Sequence, residues 1–210
     1  NKFKELQKLV EEIFPPEMFQ NMDAMKEALE KLDVEEMISA LENISNNMDN
    51  IEKELDRFLD IFQRIKAEQK VDEIRKRVEH LVKNQDNLDQ QIRSINKQTD
   101  SSVFKRLAQE QKITEKELND IIKEMRNAIN DIKKVSRKTA QELEGLSESG
   151  SVKSAKDHLK KTTNSLDNRK PYEAMNASYS GMQSMQSMES SMNQIFSNFQ
   201  KQSTREMTKK

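Results

Sequence analysis

Nine apolar positions, Met37, Leu41, Ile44, Met48, Ile51, Leu55, Phe58, Phe62 and Ile65, follow one another in steps that alternate four and three without exception. That alternation keeps a narrow stripe on one side of a helix and is the seam of a left-handed coiled coil. Such a stripe is too thin to close a globular core by itself, so other helices must cover it along its length. Asp33 followed by Val34-Glu35-Glu36 has the form of a capping box, with an acceptor at the cap and a Glu three residues on. With no Gly or Pro interrupting it, the pattern predicts a helix over 34–97. The stripe slips after Ile65 and resumes at Val71, Ile74, Val78, Leu81, Gln85, Leu88, Ile92 and Ile95. At 1.5 Å per residue, such a helix would be on the order of 95 Å long.

The rest of the chain reads as helices of unequal length. Residues 1–14 place Phe3, Leu6, Val10, Ile13 and Phe14 on one face, and Pro15-Pro16 ends that helix. A second short helix reaches Leu32. Gln98 to Ser102 is the expected turn into a second long helix over 103–144, whose seam is Leu107, Gln111, Thr114, Leu118, Ile121, Met125, Ala128, Ile132 and Val135. A short connection makes antiparallel packing on the first long helix the expectation. Gly145-Leu146-Ser147-Glu148-Ser149-Gly150 reads as a linker, followed by a weaker helix over 151–167 and a last, Met-rich helix from Pro171. The expected fold is all-α: an elongated antiparallel coiled-coil hairpin or helical bundle of about six helices, two of them long. Its expected parts are two short helices over 1–32, the hairpin over 33–145, the linker over 146–150 and C-terminal helices over 151–210.

Composition agrees with thin helices. Charged residues make up 35% and hydrophobic ones 33%, with 3 Gly and no Trp, too polar for a compact globule. Net charge is −1, which gives no global case for nucleic-acid binding, but the charge is unevenly placed. Residues 1–60 hold 16 acidic and 7 basic side chains, and residues 151–210 hold 5 acidic and 10 basic. Such asymmetry can steer antiparallel packing or charge-complementary partners, but solvated helix faces that simply differ in charge also account for it, and that is the reading adopted. The chain has no cysteine, so neither a disulfide framework nor a thiol nucleophile is available. No apolar run approaches the roughly 18 residues a membrane span needs. A chain opening on Asn1 and stopping inside a helix-like pattern at Lys210 reads as a piece of something longer.

Site chemistry is sparse. A helical di-iron site needs Glu three residues before His, and His80 and His158 have Arg77 and Ala155 there instead. There is no phosphate loop, nucleophile elbow or zinc-protease motif, so neither a catalytic residue nor a cofactor or metal is expected. The thioethers of Met182, Met185, Met188 and Met192 are of the type that ligates Cu(I). Their spacing is also that of a packed seam, where Met fills irregular gaps, and this is the reading adopted. A groove that grips a partner helix is the other reading open to Met182, Met185 and Met192. The basic stretch Lys153, Lys156, Lys160, Lys161, Arg169 and Lys170 lacks both interleaved aromatics and a bulky apolar side, so a solvated face or a partner for the acidic N-terminal part is expected. Polar seam residues Gln85, Gln111 and Thr114 are of the kind that fix helix register.

The stretches ALEKLDVEEM at 28–37, LDRFLDIFQRIKAEQK at 55–70 and KPYEAM at 170–175 resemble a group of large bacterial coiled-coil proteins known only as a domain of unknown function. The resemblance covers most of the chain, although the Ser- and Asn-rich 176–200 departs from the more Gln- and Glu-rich pattern of that group. It implies a membrane anchor outside these residues, a place in the cell envelope, and no known activity or catalytic residue. The resulting expectation is a non-enzymatic scaffold or tether that self-associates or binds a protein partner, touching membrane only through segments outside this chain. A regulatory domain that docks a helix through its Met-rich or acidic faces is the alternative.

Overall fold

The computed structural model describes residues 48–207, with side chains described over 56–205. These residues are helical throughout apart from short connections, with no strand among them. They form α1 (Met48–Arg93), α2 (Ser101–Val135), α3 (Arg137–Ser147), α4 (Gly150–Asp167) and α5 (Pro171–Met207). The helices expected over 1–32, and seam residues Met37, Leu41 and Ile44, lie outside the described residues. Three of the five helices are long, at 46, 35 and 37 residues, rather than two. The chain divides into two compact units, 1–67 and 68–210. In the first unit Phe58, Leu59, Phe62 and Ala67 are buried, Ile65 is half-buried, and Arg64 reaches back one turn to Asp60 at 3.7 Å.

The second unit is built of antiparallel neighbours, and the paired residues give the direction of each. From α1 to α2, Lys70 meets Glu124, Gln85 meets Gln111 and Gln91 meets Arg106, so the numbers rise on one helix as they fall on the other. From α2 to α4, Glu115 meets Thr163 and Lys112 meets Asp167. Ser136 meets Gln202 and Ser154 meets Ser184, which runs α3 and α4 together against α5. From α1 to α5, Arg75 lies over Phe196 and Arg93 over Tyr179. Helices α3 and α4 therefore make one broken column, and the unit has four columns, each antiparallel to its neighbours.

The chain turns where side chains cap helices. Helix α1 ends at Arg93, four residues short of the expected 97. Asn96 then accepts from the Gln98 amide at 2.8 Å, Thr99 Oγ1 accepts from the Asn96 amide at 2.9 Å, and Asp100 caps α2 by accepting from Ser102. The apolar pattern continued past the helix because Ile95, in the turn, is buried with Leu88, Ile92, Phe104, Leu107 and Leu166.

The helix expected over 103–144 is two helices, because the chain reverses at Ser136. That residue is extended (φ −143, ψ 103) and serves both ends. Its amide donates to the Ile132 carbonyl at 2.7 Å and its hydroxyl accepts from the Thr139 amide at 3.2 Å. In this way it satisfies an orphan group of each helix.

Within 145–150, Gly145 lies inside α3 and Gly150 opens α4, while Ser149 caps α4 through the Val152 amide at 3.2 Å. Helix α4 ends in a left-handed residue, Arg169 (φ 52), with the Lys170 amide reaching back to the Ser165 carbonyl at 2.8 Å. That is a Schellman-type cap with arginine in the place glycine usually takes, and Pro171 opens α5 where no amide hydrogen is needed.

Small residues let α4 and α5 approach closely. A methyl group placed on Gly181 would stand 3.2 Å from Leu159 Cδ2 and 3.4 Å from His158 Cβ. Ala155 on α4, with Ala174, Ala177 and Ser178 on α5, is buried in the unit. This explains how a helix rich in Ser and Met rather than Leu is held in a core.

Candidate functional site

The interior is filled by the second-half seam. Val71, Ile74, Val78, Leu81, Leu88 and Ile92 on α1 are buried, as are Leu107, Leu118, Ile121, Met125 and Ile132 on α2. Met185, Met188 and Met192 are 0% exposed and Met182 is 7% exposed. The thioethers that the sequence left open to a docking role thus sit inside the bundle, where a flexible unbranched side chain fills gaps between helices.

One layer of that interior is polar. Gln85 Nε2 donates to Gln111 Oε1 at 3.3 Å, and Gln111 Nε2 donates to Gln85 Oε1 at 3.0 Å, a reciprocal amide pair. Gln85 Nε2 also donates to Ser178 Oγ at 3.3 Å, which ties in α5. Gln85, Gln111 and Ser178 are all 0% exposed, so these bonds replace water entirely. The sequence singled out the two glutamines; that they meet each other, and that Ser178 joins them, depends on how the helices fold back. Thr114 instead turns its hydroxyl to the Glu110 carbonyl one turn away at 3.3 Å.

The flank between α1 and α2 carries a network of charges. Lys70 Nζ lies 2.5 Å from Glu124 and 2.8 Å from Glu73. Arg77 grips Glu124 and reaches Glu117 at 3.4 Å. Partial burial pushes the Glu124 carboxyl up, but the hydrogen bonds and charges of Lys70 and Arg77 outweigh it and hold it below its ordinary 4.5. Burial likewise works against the Lys70 ammonium, and Glu124 and Glu73 outweigh it and raise it above 10.5.

A carboxyl depressed in the folded state adds stability that is present above its unfolded value and lost as pH falls through its folded value. Glu124→Gln is therefore expected to cost about 1–2 kcal/mol at pH 7, with the partly exposed Lys70 keeping it at the low end. The gap between variant and wild type should shrink as pH drops below 4.5. Urea unfolding at pH 7 and again near pH 3 measures this, and an unchanged gap would contradict it.

The flank between α2 and α4 is different. Lys112 pairs with Asp167 at 3.0 Å, but Lys116, Lys123 and Arg126 on α2, and Lys153, Lys156 and Lys160 on α4, form no ion pair among the described residues. The sequence pointed to the α4 half of this strip; the α2 half was recorded in the seven-residue spacing of Lys116 and Lys123 and became visible only once α4 lay beside it.

His80 is exposed and touches Asn84 through Nδ1 at 3.1 Å, while His158 lies on the α4–α5 flank. Among the described residues no group of three or more His, Asp or Glu is placed to hold a metal ion, and no helix is long and apolar enough to cross a membrane. A cleft of about 360 Å³ flanks α3 and α5, where Lys138 lies 3.8 Å from Glu142 and Asn198 and Lys201 face them. Compared with known proteins, the chain matches no family model, no curated protein and no solved structure.

Proposed function

We propose that this chain is a non-enzymatic structural module, an elongated antiparallel coiled-coil scaffold or tether. In this reading it is part of a larger, membrane-anchored protein of the cell envelope, and it works through protein partners or self-association. The reading rests on one observation above the rest: the heptad seam of the second unit is spent on packing between four columns, and its two glutamines, Gln85 and Gln111, are paired with each other. A seam so used sets length and stiffness, which are the properties a spacer needs. Placement in the envelope follows from the resemblance of 28–37, 55–70 and 170–175 to the large bacterial coiled-coil group.

Small-angle scattering from the whole chain tests the elongated form. A globule of 210 residues has a radius of gyration of about 17 Å. A scaffold of stacked heptads gives a value well above that and a pair-distance curve with a long tail. A value near that of the globule would remove the reading.

A further inference from the structure

The flanks of the bundle treat their charges unequally. Between α2 and α4 the register is set by Lys112 on Asp167 and Glu115 on Thr163. Stepping seven residues along each helix from the first pair, about 10 Å at a time, places Asn119 level with Lys160 and then Arg126 level with Lys153. The rungs thus pass from matched charges, to a cation facing an amide, to two cations facing each other. Lys116 and Lys123 stand on the outer side of α2, and Lys156 lies half-buried on α4 in the same strip. Glu115 accepts from Thr163, which leaves two carboxylates beside the six cations Lys116, Lys123, Arg126, Lys153, Lys156 and Lys160: Asp120, on the outer side of α2 between Lys116 and Lys123, and Asp157, on the outer side of α4. Like charges placed level across a helix pair work against the fold, whereas the α1–α2 flank matches its cations to Glu117 and Glu124.

We infer that this strip is a docking surface for the acidic N-terminal third of a second copy of the chain. The charge division follows the division into units: residues 1–67 hold 16 acidic and 9 basic side chains, and residues 68–210 hold 21 acidic and 27 basic. The acidic part also repeats at the period of the strip. Glu35, Glu42 and Asp49 are seven residues apart, each directly following or flanking the Met37–Ile65 seam in the same heptad position. The rungs of the strip are likewise seven apart, so acidic residues repeating at that period match a cation at every repeat. Each copy carries one acidic segment and one basic strip, and a two-fold exchange satisfies both at once.

A lipid surface is the weaker fit. The exposed large apolar side chains among the described residues are Ile113, Tyr172 and Tyr179; Ile113 alone, on α2 beside Lys112 and Lys116, borders the strip, and a membrane-lying face needs a row of such groups. This inference goes beyond the scaffold reading, which requires no second copy, so either can fail alone.

Sedimentation equilibrium of the full chain is the test. In low salt, at about 0.05 M, the mass is expected to exceed the 24.6 kDa of one chain and approach twice that value, returning to one chain near 1 M as screening shortens the reach of charge. The variant Lys123→Glu, Arg126→Glu, Lys153→Glu, Lys160→Glu, checked as helical by circular dichroism, is expected to associate at least tenfold more weakly. Adding Glu35→Lys, Glu42→Lys and Asp49→Lys to it restores association, a rescue that damage to the fold could not give. Should the fourfold reversal unfold the chain, Lys123→Gln with Lys160→Gln replaces it, with a weaker loss expected. A wild type that stays a single chain in low salt overturns the inference, as does association indifferent to the reversal, or a rescue that fails. Sedimentation with vesicles of mixed phosphatidylcholine and phosphatidylglycerol, seen without self-association, would assign the strip to lipid and overturn it too.

Discussion

Met185→Glu is expected to lower the unfolding midpoint by roughly 10 °C or more, by far the largest effect of any single change considered for this chain. Met185 is 0% exposed, on a column that touches both α1 and α4. A carboxylate there either stays charged without a partner or takes up a proton, and both routes are costly. About 4 kcal/mol is a reasonable minimum for a buried charge with nothing to pair it. In a protein of this size each kcal/mol moves the midpoint by roughly 2–4 °C. Met185→Leu keeps the volume and should cost less than about 1.5 kcal/mol. Thermal melts followed by circular dichroism at 222 nm separate the two variants. If Met185→Glu melted with the wild type, Met185 would not be core, and the docking reading of Met182, Met185 and Met192 would regain its ground.

The architecture was legible in the sequence to different depths in different places. Helix type was plain because apolar periodicity and the near-absence of Gly and Pro agree, and the structure is all-helical over the described residues. The breaks were harder to read, because serine and asparagine caps made them rather than glycine. Ser136 looked like one more polar residue after Val135, yet its hydroxyl and extended backbone reverse the chain. Gly145 and Gly150 drew attention as a linker, but neither has a positive φ and both lie in helices. Ile95 extended the stripe beyond the end of the helix because a buried turn residue obeys the same demand for cover as a helical one.

The candidate surfaces were less legible than the fold. A basic face on α4 could be read from Lys153, Lys156 and Lys160, but its continuation onto Lys116, Lys123 and Arg126 depends on which helix lies beside which. The partnership of Lys70 and Arg77 with Glu124 joins residues about fifty positions apart, and no local pattern records it. Periodicity tells which side of a helix is inside; it does not say which other helix is there.

The buried glutamine layer bears most directly on whether the seam of the second unit closes into an antiparallel bundle in a single register. Gln85 and Gln111 satisfy one another with Ser178, and no water reaches them. Gln85→Leu leaves the Gln111 amide buried without its partner, and Gln111→Leu does the reverse, so each is expected to cost about 1–3 kcal/mol. Replacing both removes the stranded groups together, and Ser178 can turn its hydroxyl to its own helix. The double variant should then lie near wild type or above it, with less pressure holding the helices in one register. The measurement is a double-mutant cycle by urea unfolding. Two costly single changes are expected, with a coupling of about 2 kcal/mol or more that makes the pair far cheaper than their sum. Two neutral single changes, or costs that simply add, would contradict it.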